Sequence, residues 1–304
     1  TEKNIASALE EAIHAGCNII FTTTPTFAQE SLRAAITHPE VRILNCSLNT
    51  THRYIRTYYT RMHEAKFMMG AIAGEMAEND KIVYIADYPI LGTIAQINAF
   101  ALGAQMTNPR AKVYLEWSTL KEQDIEKRID EIDPNCISGK DIIVPDDNNH
   151  FYGVYHRESG GGEQKNLAMP LCHWGKFYEE LIRTIMAGNW EQDNDVEKAI
   201  NYWWGMPTGV VDVICSKKLP AGTVRLVNVL KHNYKTGQFH TFTDQMYAQG
   251  HVLKEKKGET LSPEEVIEMD WLAENIIGRI PKIEELQEQA KPVLTQQGIE
   301  TRKG

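Results

Sequence analysis

The chain has 304 residues, 42% of them hydrophobic and 24% charged, which is ordinary for a globular protein with room for two lobes of roughly 150 residues each. Its formal net charge is −9, and no basic patch interleaved with aromatic residues appears, so nucleic acid is not an expected partner. No apolar run approaches the ~20 residues that a membrane helix needs, and we expect no direct membrane span.

Helices and strands are predicted to alternate through the first half of the chain. The predicted helices are 5–14, 28–37, 53–76, 92–106 and 120–132. The predicted strands are 17–22, 41–46, 82–86, 112–116 and 141–144. Such alternation is typical of βαβ units and of a mostly parallel sheet, so we predict an α/β fold. The opening helix is amphipathic and acidic, unlike a secretion signal.

The second half is predicted to be more varied. Residues 146–162 are polar and glycine-rich, with a flexible loop at 160–162 and one short strand at 151–155. The further predicted elements are helix 174–187, strand 210–215, helix 222–236, a hairpin within 238–256, helix 261–277 and a fraying helix from 281. Ser262 is the expected N-cap of helix 261–277, with proline and acids in its first turn.

The break at Glu78-Asn79-Asp80 is the predicted lobe boundary. Lobe 1 would be residues 1–79, joined by parts of 175–304. Lobe 2 would be residues 80–174, joined by parts of 200–216, and residues 281–304 would form a C-terminal tail.

The five cysteines are widely spaced, and their odd number without a CxxC pair argues against a disulfide framework and against a zinc site. Free thiols suit a reducing compartment or the exterior of an anaerobe. The histidines are scattered and lack acidic companions, so we expect no metal ligands and no cofactor.

No catalytic constellation is evident, because the sequence has no GxSxG elbow, no phosphate-binding glycine loop and no HExxH pair. Carboxylates such as Glu64 and Asp87 could do acid–base work, but we expect them to be solvated. The sequence therefore predicts a protein that is not an enzyme.

Residues at predicted strand ends are the candidates for ligand binding. In open α/β sheets ligands lie beyond the carboxyl ends of the strands, where the loop 87–91 is expected, although that loop could be an ordinary βα turn. Aromatic rings there could sandwich a planar ligand while hydroxyl, amide or carboxylate groups form hydrogen bonds with its edges. The candidates are Thr23, Thr24, Phe27, Asp87, Tyr88, His173 and Trp174. Rings can instead pack lobe cores, which is the expected role of Trp203 and Trp204.

Several motifs, in order, resemble the basic membrane protein family of solute-binding proteins. They are Ile20-Phe21-Thr22-Thr23, Arg61-Met62-His63-Glu64 with Gly70 to Met76, Tyr88-Pro89-Ile90, Ile97 to Ala104, His173 to Tyr178, Gly258 to Ser262, and Met269-Asp270-Trp271. The resemblance implies a periplasmic-binding-protein-like (type I) fold whose two lobes close on a ligand. The best understood members of the family bind purines or purine nucleosides for ATP-driven import.

The sequence also departs from the family pattern. The family's first β-α-β unit has no counterpart before Thr1, and the spacing between 141 and 151 is short, as though a helix of lobe 2 were lost. Arg157 falls where the family commonly carries an acid, and Gly92 replaces a glutamate.

The leading hypothesis is a solute-binding protein that captures a purine-like ligand between hinged lobes for an ABC transporter permease. If the N-terminus of the sequence is trimmed, its expected location is extracytoplasmic, as a membrane-anchored lipoprotein. The alternative is a cytoplasmic ligand-sensing regulatory domain of the same fold.

Overall fold

The computed structural model describes residues 5–48, 52–139, 152–158, 160, 162–190, 200–255 and 258–299. Its helices are α1 (Ile5–His14), α2 (Ala28–Thr37), α3 (Met62–Met76), α4 (Thr93–Thr107), α5 (Ile125–Ile132), α6 (Trp174–Thr184), α7 (Ala221–Lys235), α8 (Pro263–Ile267) and α9 (Lys291–Gln297). None of the described helices combines the length and apolar character needed to cross a membrane.

The strands belong to two larger sheets and one hairpin. They are β1 (Ile19–Thr22), β2 (Arg42–Cys46), β3 (Ile55–Thr60), β4 (Lys81–Ala86), β5 (Lys112–Trp117), β6 (Cys136–Ser138), β7 (Val154–Arg157), β8 (Gln164–Cys172), β9 (Tyr202–Trp204), β10 (Val211–Cys215), β11 (Met246–Ala248), β12 (Val252–Glu255) and β13 (Ile276–Ile277). The β11–β12 hairpin confirms the one predicted within 238–256.

The chain forms two compact units. Unit 1 contains Thr1–Thr60 and Trp174–Trp204, and unit 2 contains Arg61–His173 and Gly205–Gly304, so the chain passes from one unit to the other at three places. The first division follows Thr60, whereas we predicted it at 78–80. The difference has a packing cause, because α3 lies against α4 and so belongs to unit 2. The predicted return of later residues to the first lobe corresponds to Trp174–Trp204, and the predicted tail is part of unit 2.

Unit 1 is built on a parallel sheet with the strand order β1-β2-β3-β9. Helices α1 and α2 have the predicted bounds. They pack on one face of the sheet around a cluster of buried apolar side chains, which are Leu9, Ala34, Ala35, Val41, Ile43 and Ile55. Because the strands are parallel, the residues after Thr22, Cys46, Thr60 and Trp204 lie along one edge of the sheet.

Unit 2 has a mixed sheet with the order β10-β8-β7-β6-β4-β5-β13. Four neighbouring strands are parallel, namely β6, β4, β5 and β13. The pairs β6–β7, β7–β8 and β8–β10 are antiparallel. The prediction of a mostly parallel sheet therefore holds for only part of unit 2. The cause is visible at β7 and β8, which are joined by the short connection 158–163, whereas parallel neighbours need a crossover of a dozen or more residues.

Two glycines bring α3 and α4 into close contact. A Cβ atom on Gly70 would lie 1.9 Å from the carbonyl oxygen of Phe100, and one on Gly103 would lie 2.0 Å from that of Phe67. The Gly70–Gly74 pattern therefore lies in close contact with α4.

The predicted helix 53–76 is wrong in its first part, because β3 precedes α3. The run Ile55–Thr60 is rich in β-branched and aromatic residues, which favour a strand. Helix 120–132 begins only at Ile125, since the Asp124 side chain accepts a hydrogen bond from the backbone N–H of Lys127 and caps it there. Strands β6 and β8 were not predicted, and the predicted strand 141–144 lies outside the described residues.

The predicted helix 261–277 is correct at its start and wrong in its length. Ser262 forms the capping box with Glu265, but α8 ends at Ile267 and the chain then enters β13 beside β5. The pairing of β13 with β5 is a tertiary contact that local helical periodicity does not reveal.

Candidate functional site

Unit 1 carries a connected set of aromatic rings, which we call the aromatic cluster. Its members are Phe21, Tyr58, Trp174, Phe177, Tyr178, Tyr202 and Trp204. Ring centroids of Phe21 and Tyr178 lie 4.9 Å apart, and those of Phe177 and Trp204 lie 5.0 Å apart. The cluster joins β1, β3 and β9 to the first turns of α6, so it lies at one end of the parallel sheet.

Tyr58 is the centre of this cluster. Its side chain is buried, and its hydroxyl donates to the backbone carbonyl of Thr22 at 3.2 Å. That bond uses the only hydroxyl proton of Tyr58, so the Tyr178 hydroxyl is the donor in the 3.1 Å bond between the two tyrosines. Burial raises the pKa of Tyr58 well above its ordinary value, and the hydrogen bond with Tyr178 raises it further.

Trp174 is the member that presents a ring to solvent. It is the first residue of α6, is 36% exposed, and stacks on Tyr178 with 6.0 Å between ring centroids. Its other ring neighbours, Tyr58 and Phe177, hold it in place from the inside. An aromatic face that is exposed and yet fixed by packing is suited to stacking on a flat ligand.

Polar groups line the ends of β1 and β2 in the same unit. The Asn45 amide donates to the Thr22 hydroxyl at 2.8 Å and to the Thr24 carbonyl at 2.9 Å. The Thr22 hydroxyl donates to Leu44, and the Ser31 hydroxyl lies 3.0 Å from it. This network fixes the backbone of the predicted loop after β1.

The predicted candidates Thr23, Thr24 and Phe27 all lie in that loop. Thr23 is exposed, and the Thr24 side chain caps a short 3-10 turn, Pro25–Phe27, by accepting from the Thr26 N–H. Phe27 ends this turn half-buried. Through Tyr58 and Phe21, the aromatic cluster reaches the strand from which the loop starts, so the structure groups these three candidates with Trp174 on unit 1.

Trp203 and Trp204 were expected to pack in a lobe core. Both are half-buried in β9, and Trp204 packs against Phe177, so Trp204 supports the aromatic cluster from within.

Asp87 and Tyr88 follow β4 in unit 2. Asp87 is exposed, its carboxylate accepts a hydrogen bond from the Ser118 hydroxyl, and its carbonyl accepts one from Thr119. Tyr88 is half-buried and packs against Leu286 and its neighbours in the C-terminal segment. The structure therefore places the Tyr88 ring in an apolar cluster and leaves the Asp87 side chain at the surface.

His173 is the last residue of unit 2 before α6. Its side chain is exposed, and its backbone N–H donates to the carbonyl of Val210 at 2.8 Å. Its partner differs from those of Asp87 and Tyr88, so the candidates of unit 2 do not form one cluster among its described residues.

Glu64 is buried in unit 2, contrary to the expectation that it is solvated. Its carboxylate pairs with the Nε of Arg61 at 2.8 Å and accepts from the backbone N–H of Met206 at 2.6 Å. Burial raises the pKa of Glu64, and the Arg61 charge partly offsets that effect. This carboxylate joins the start of α3 to the segment at Met206.

Arg157 also has a structural role. It is buried in β7 and pairs with Asp130 of α5 at 2.5 Å, so it joins the helix to the sheet. At this position, where the family commonly carries an acid, the chain therefore has an ion pair between β7 and α5.

No disulfide joins any two of the five cysteines. Within the described part of the chain, no three His, Cys, Asp or Glu side chains are grouped in a way that could hold a metal ion.

Sequence reasoning missed Tyr58, Tyr178 and Asn45. Tyr58 was assigned to a helix, and its strand signal was the enrichment of aromatic and β-branched residues in Ile55–Thr60. Tyr178 follows Trp174 by four residues on α6, a spacing that places both on one helix face. Asn45 gave no signal, because its partners come from β1.

A model of a family described as "ABC transporter substrate-binding protein PnrA-like" (Bmp) matches residues 1–162. A protein from Brucella abortus named "Purine-binding protein" is 24% identical over 90% of this chain and 80% of its own length. A protein from Haloferax volcanii named "Putative ABC transporter glucose-binding protein" is 27% identical over 66% of this chain, which spans about half (52%) of that relative.

Solved structures show the same fold at low identity. A structure described as a transcriptional activator of the comK gene from Bacillus halodurans has a TM-score of 0.57 at 16% identity, covering 79% of this chain and 86% of that one. An ABC transporter solute-binding protein from Conexibacter woesei has a TM-score of 0.53 at 11% identity, covering 77% and 82%. These likenesses identify a periplasmic-binding-protein-like fold.

Proposed function

The chain belongs to the Bmp family of PnrA-like ABC transporter substrate-binding proteins, whose model matches over half of its length, and we propose that it captures a purine base or nucleoside for import. Proteins of this family bind a small molecule for a transporter and are not enzymes. The purine ligand is the proposal. That two hinged lobes close on the ligand stays a prediction.

The exposed ring of Trp174 carries this proposal. Tyr178 stacks behind it and Phe177 packs beside it, so the Trp174 ring is held in one orientation while part of it remains open. A preorganised aromatic surface loses little conformational entropy when a ligand stacks on it. Thr23 and Thr24, on the loop after β1, offer hydroxyl groups to the edge of such a ligand.

The name of one relative is the reason to propose a purine over other flat or ring-shaped ligands. The Brucella abortus protein named as purine-binding aligns with 90% of this chain. The Haloferax volcanii protein named as glucose-binding makes a sugar the competing ligand, and sugars also stack on tryptophan. Both classes therefore belong in the test.

We expect the purified chain to bind adenine, hypoxanthine, adenosine or guanosine in isothermal titration calorimetry, and glucose not to bind. Replacing Trp174 by Ala should weaken binding by about 1–3 kcal/mol, roughly 5- to 150-fold, which is the range for one base stacked on an aromatic ring. Trp174→Phe, which keeps a ring, should lose less.

Trp271→Ala is the matched control, since it removes a tryptophan of unit 2 that lies over Lys254 and is not a member of the aromatic cluster. It should leave the affinity unchanged. Equal affinity in Trp174→Ala and the natural chain would exclude the stacking role. Binding of glucose alone would exclude the purine and keep the solute-binding function.

Five cysteines without a disulfide among them favour a second candidate, a cytoplasmic ligand-sensing regulatory domain, because disulfides are rare in a reducing compartment. A receptor that supplies an importer works outside the cytoplasm, and we propose that location, with anchoring as a lipoprotein. Fractionation of cells that produce the full-length protein separates the two. A membrane fraction released only by detergent supports the importer, and a cytosolic fraction supports the sensor.

A further inference from the structure

The C-terminal segment 283–299 covers the loop 87–91 of unit 2. Two 3-10 turns and α9 make up the segment, which follows the last motif of the family resemblance, Met269-Asp270-Trp271. The sequence predicted a fraying helix from 281, and α9 is helical within that range. We propose that this segment is a positioning element that holds the loop 87–91, and with it Asp87, in the conformation that meets the ligand.

The first observation is apolar packing. Leu286, Ala290 and Leu294 are each 0% exposed. They form a cluster with half-buried apolar side chains of the loop and its surroundings, which are Tyr88, Ile90, Leu120 and Ile283. Because Tyr88 and Ile90 pack against the segment, the segment shields part of both side chains from water.

The second observation is backbone pairing on both sides of the loop. The Leu91 N–H donates to the carbonyl of Gln297 at 3.0 Å, and the Ile299 N–H donates to that of Pro89 at 3.3 Å. At the neighbouring loop after β5, the Gln287 N–H donates to Thr119 at 2.9 Å. The segment therefore ties together the loops that follow β4 and β5.

These contacts bear on Asp87 in particular. Its carbonyl and carboxylate accept hydrogen bonds from Thr119 and Ser118, at the end of β5, and the rest of its loop is bonded to the segment. Asp87 is thereby held from two sides while its side chain stays exposed. The functional part of this inference rests on the proposed function, since it assumes that a ligand meets this loop.

Leu294→Ala tests the proposal in the full chain. It removes a fully buried side chain from α9, and the remaining cavity should loosen the segment. Hydrogen exchange measured by mass spectrometry should show the Leu91 amide exchanging about tenfold faster or more, without any ligand present. Affinity for the best purine of the panel should fall about tenfold as well.

Two controls separate positioning from general destabilisation. Thr295→Ala changes an exposed residue of the same helix, and Leu230→Ala empties a buried position in α7. Neither should change exchange at Leu91 or purine affinity. Unchanged exchange in Leu294→Ala, or faster exchange with unchanged affinity, would overturn the proposal.

The Trp174→Ala variant distinguishes the two proposals. If Trp174→Ala loses affinity and Leu294→Ala does not, the purine function stands and the positioning role fails. If no purine binds the natural chain, the proposed function fails and so does the positioning of Asp87 for a purine.

Discussion

The residues at the start of α3 are ionisable and buried together. His63 is buried, lies 5.4 Å from the ring of Phe242 by centroid distance, and is next to the Arg61–Glu64 ion pair. Burial lowers the pKa of His63 to about 3, and the Arg61 charge adds to the effect. The folded protein therefore favours the neutral imidazole, and the free energy of unfolding depends on pH through this group.

His63 should make the protein less stable in mild acid. Since its folded pKa of about 3 lies below the unfolded value of 6.5, the unfolded chain takes up the proton first as the pH falls. The stabilising contribution is complete above pH 6.5 and is lost between pH 6.5 and 3, at up to about 1.4 kcal/mol per pH unit.

His63→Gln, which cannot titrate, should reduce the dependence of the free energy of unfolding on pH in that window, measured by urea titration between pH 7 and 4. His14→Gln, at an exposed position, is the control and should leave the curve unchanged. Identical slopes for His63→Gln and the natural chain would show that His63 binds its proton equally well in the folded and unfolded states.

At the scale of elements, the contact between α3 and α4 leaves no space for an added side chain at Gly103. A Cβ atom added at Gly103 would lie 2.0 Å from the carbonyl oxygen of Phe67 and 3.0 Å from the backbone nitrogen of Ala71. Both are backbone atoms, so a side chain at 103 cannot be accommodated by a rotamer change. The helices would have to separate.

Gly103→Ala should therefore destabilise the protein by about 1–3 kcal/mol or more, as overpacking does. Gly222→Ala makes the same change in α7, where the added Cβ would have nothing within 4 Å. There the change should be neutral or stabilising by up to about 1 kcal/mol, because alanine favours a helix. Chemical denaturation should show a lower free energy of unfolding for Gly103→Ala and an equal or higher one for Gly222→Ala. A neutral Gly103→Ala would mean that the helices lie further apart.

Local periodicity predicted the elements whose stability is local, and it failed where a distant strand decided the outcome. Helices α1 and α2 have the predicted bounds, and Ser262 caps α8 as predicted. In contrast, β3 and β13 are strands because they pair with β2 and β5.

For the candidate site, the sequence identified the exposed ring of Trp174 but not its support. Tyr58 and Tyr178 reach Trp174 only after β3 and α6 have folded onto one sheet. The burial of Tyr88 under segment 283–299 could not be predicted either, since the two are far apart in the chain.

At the scale of the whole molecule, the thiols are distributed over both units and over all degrees of burial. Cys17 is exposed, Cys172 and Cys215 are half-buried, and Cys46 and Cys136 are buried. Burial raises the pKa of Cys136 to about 12, which leaves almost no reactive thiolate at neutral pH. No covalent cross-link joins any pair of them, so the fold depends on packing and hydrogen bonds.

The melting temperature should therefore be the same with and without dithiothreitol, because a native disulfide would contribute about 2–5 kcal/mol that reduction removes. In native protein, iodoacetamide followed by peptide mass spectrometry should label Cys17 first and Cys136 only after unfolding, since modification needs both access and thiolate. Cys17→Ser should abolish the early labelling by iodoacetamide and leave the melting temperature unchanged. A melting temperature that falls on reduction would reveal a disulfide and would favour an oxidising location, whereas invariance is what a fold built without cross-links requires.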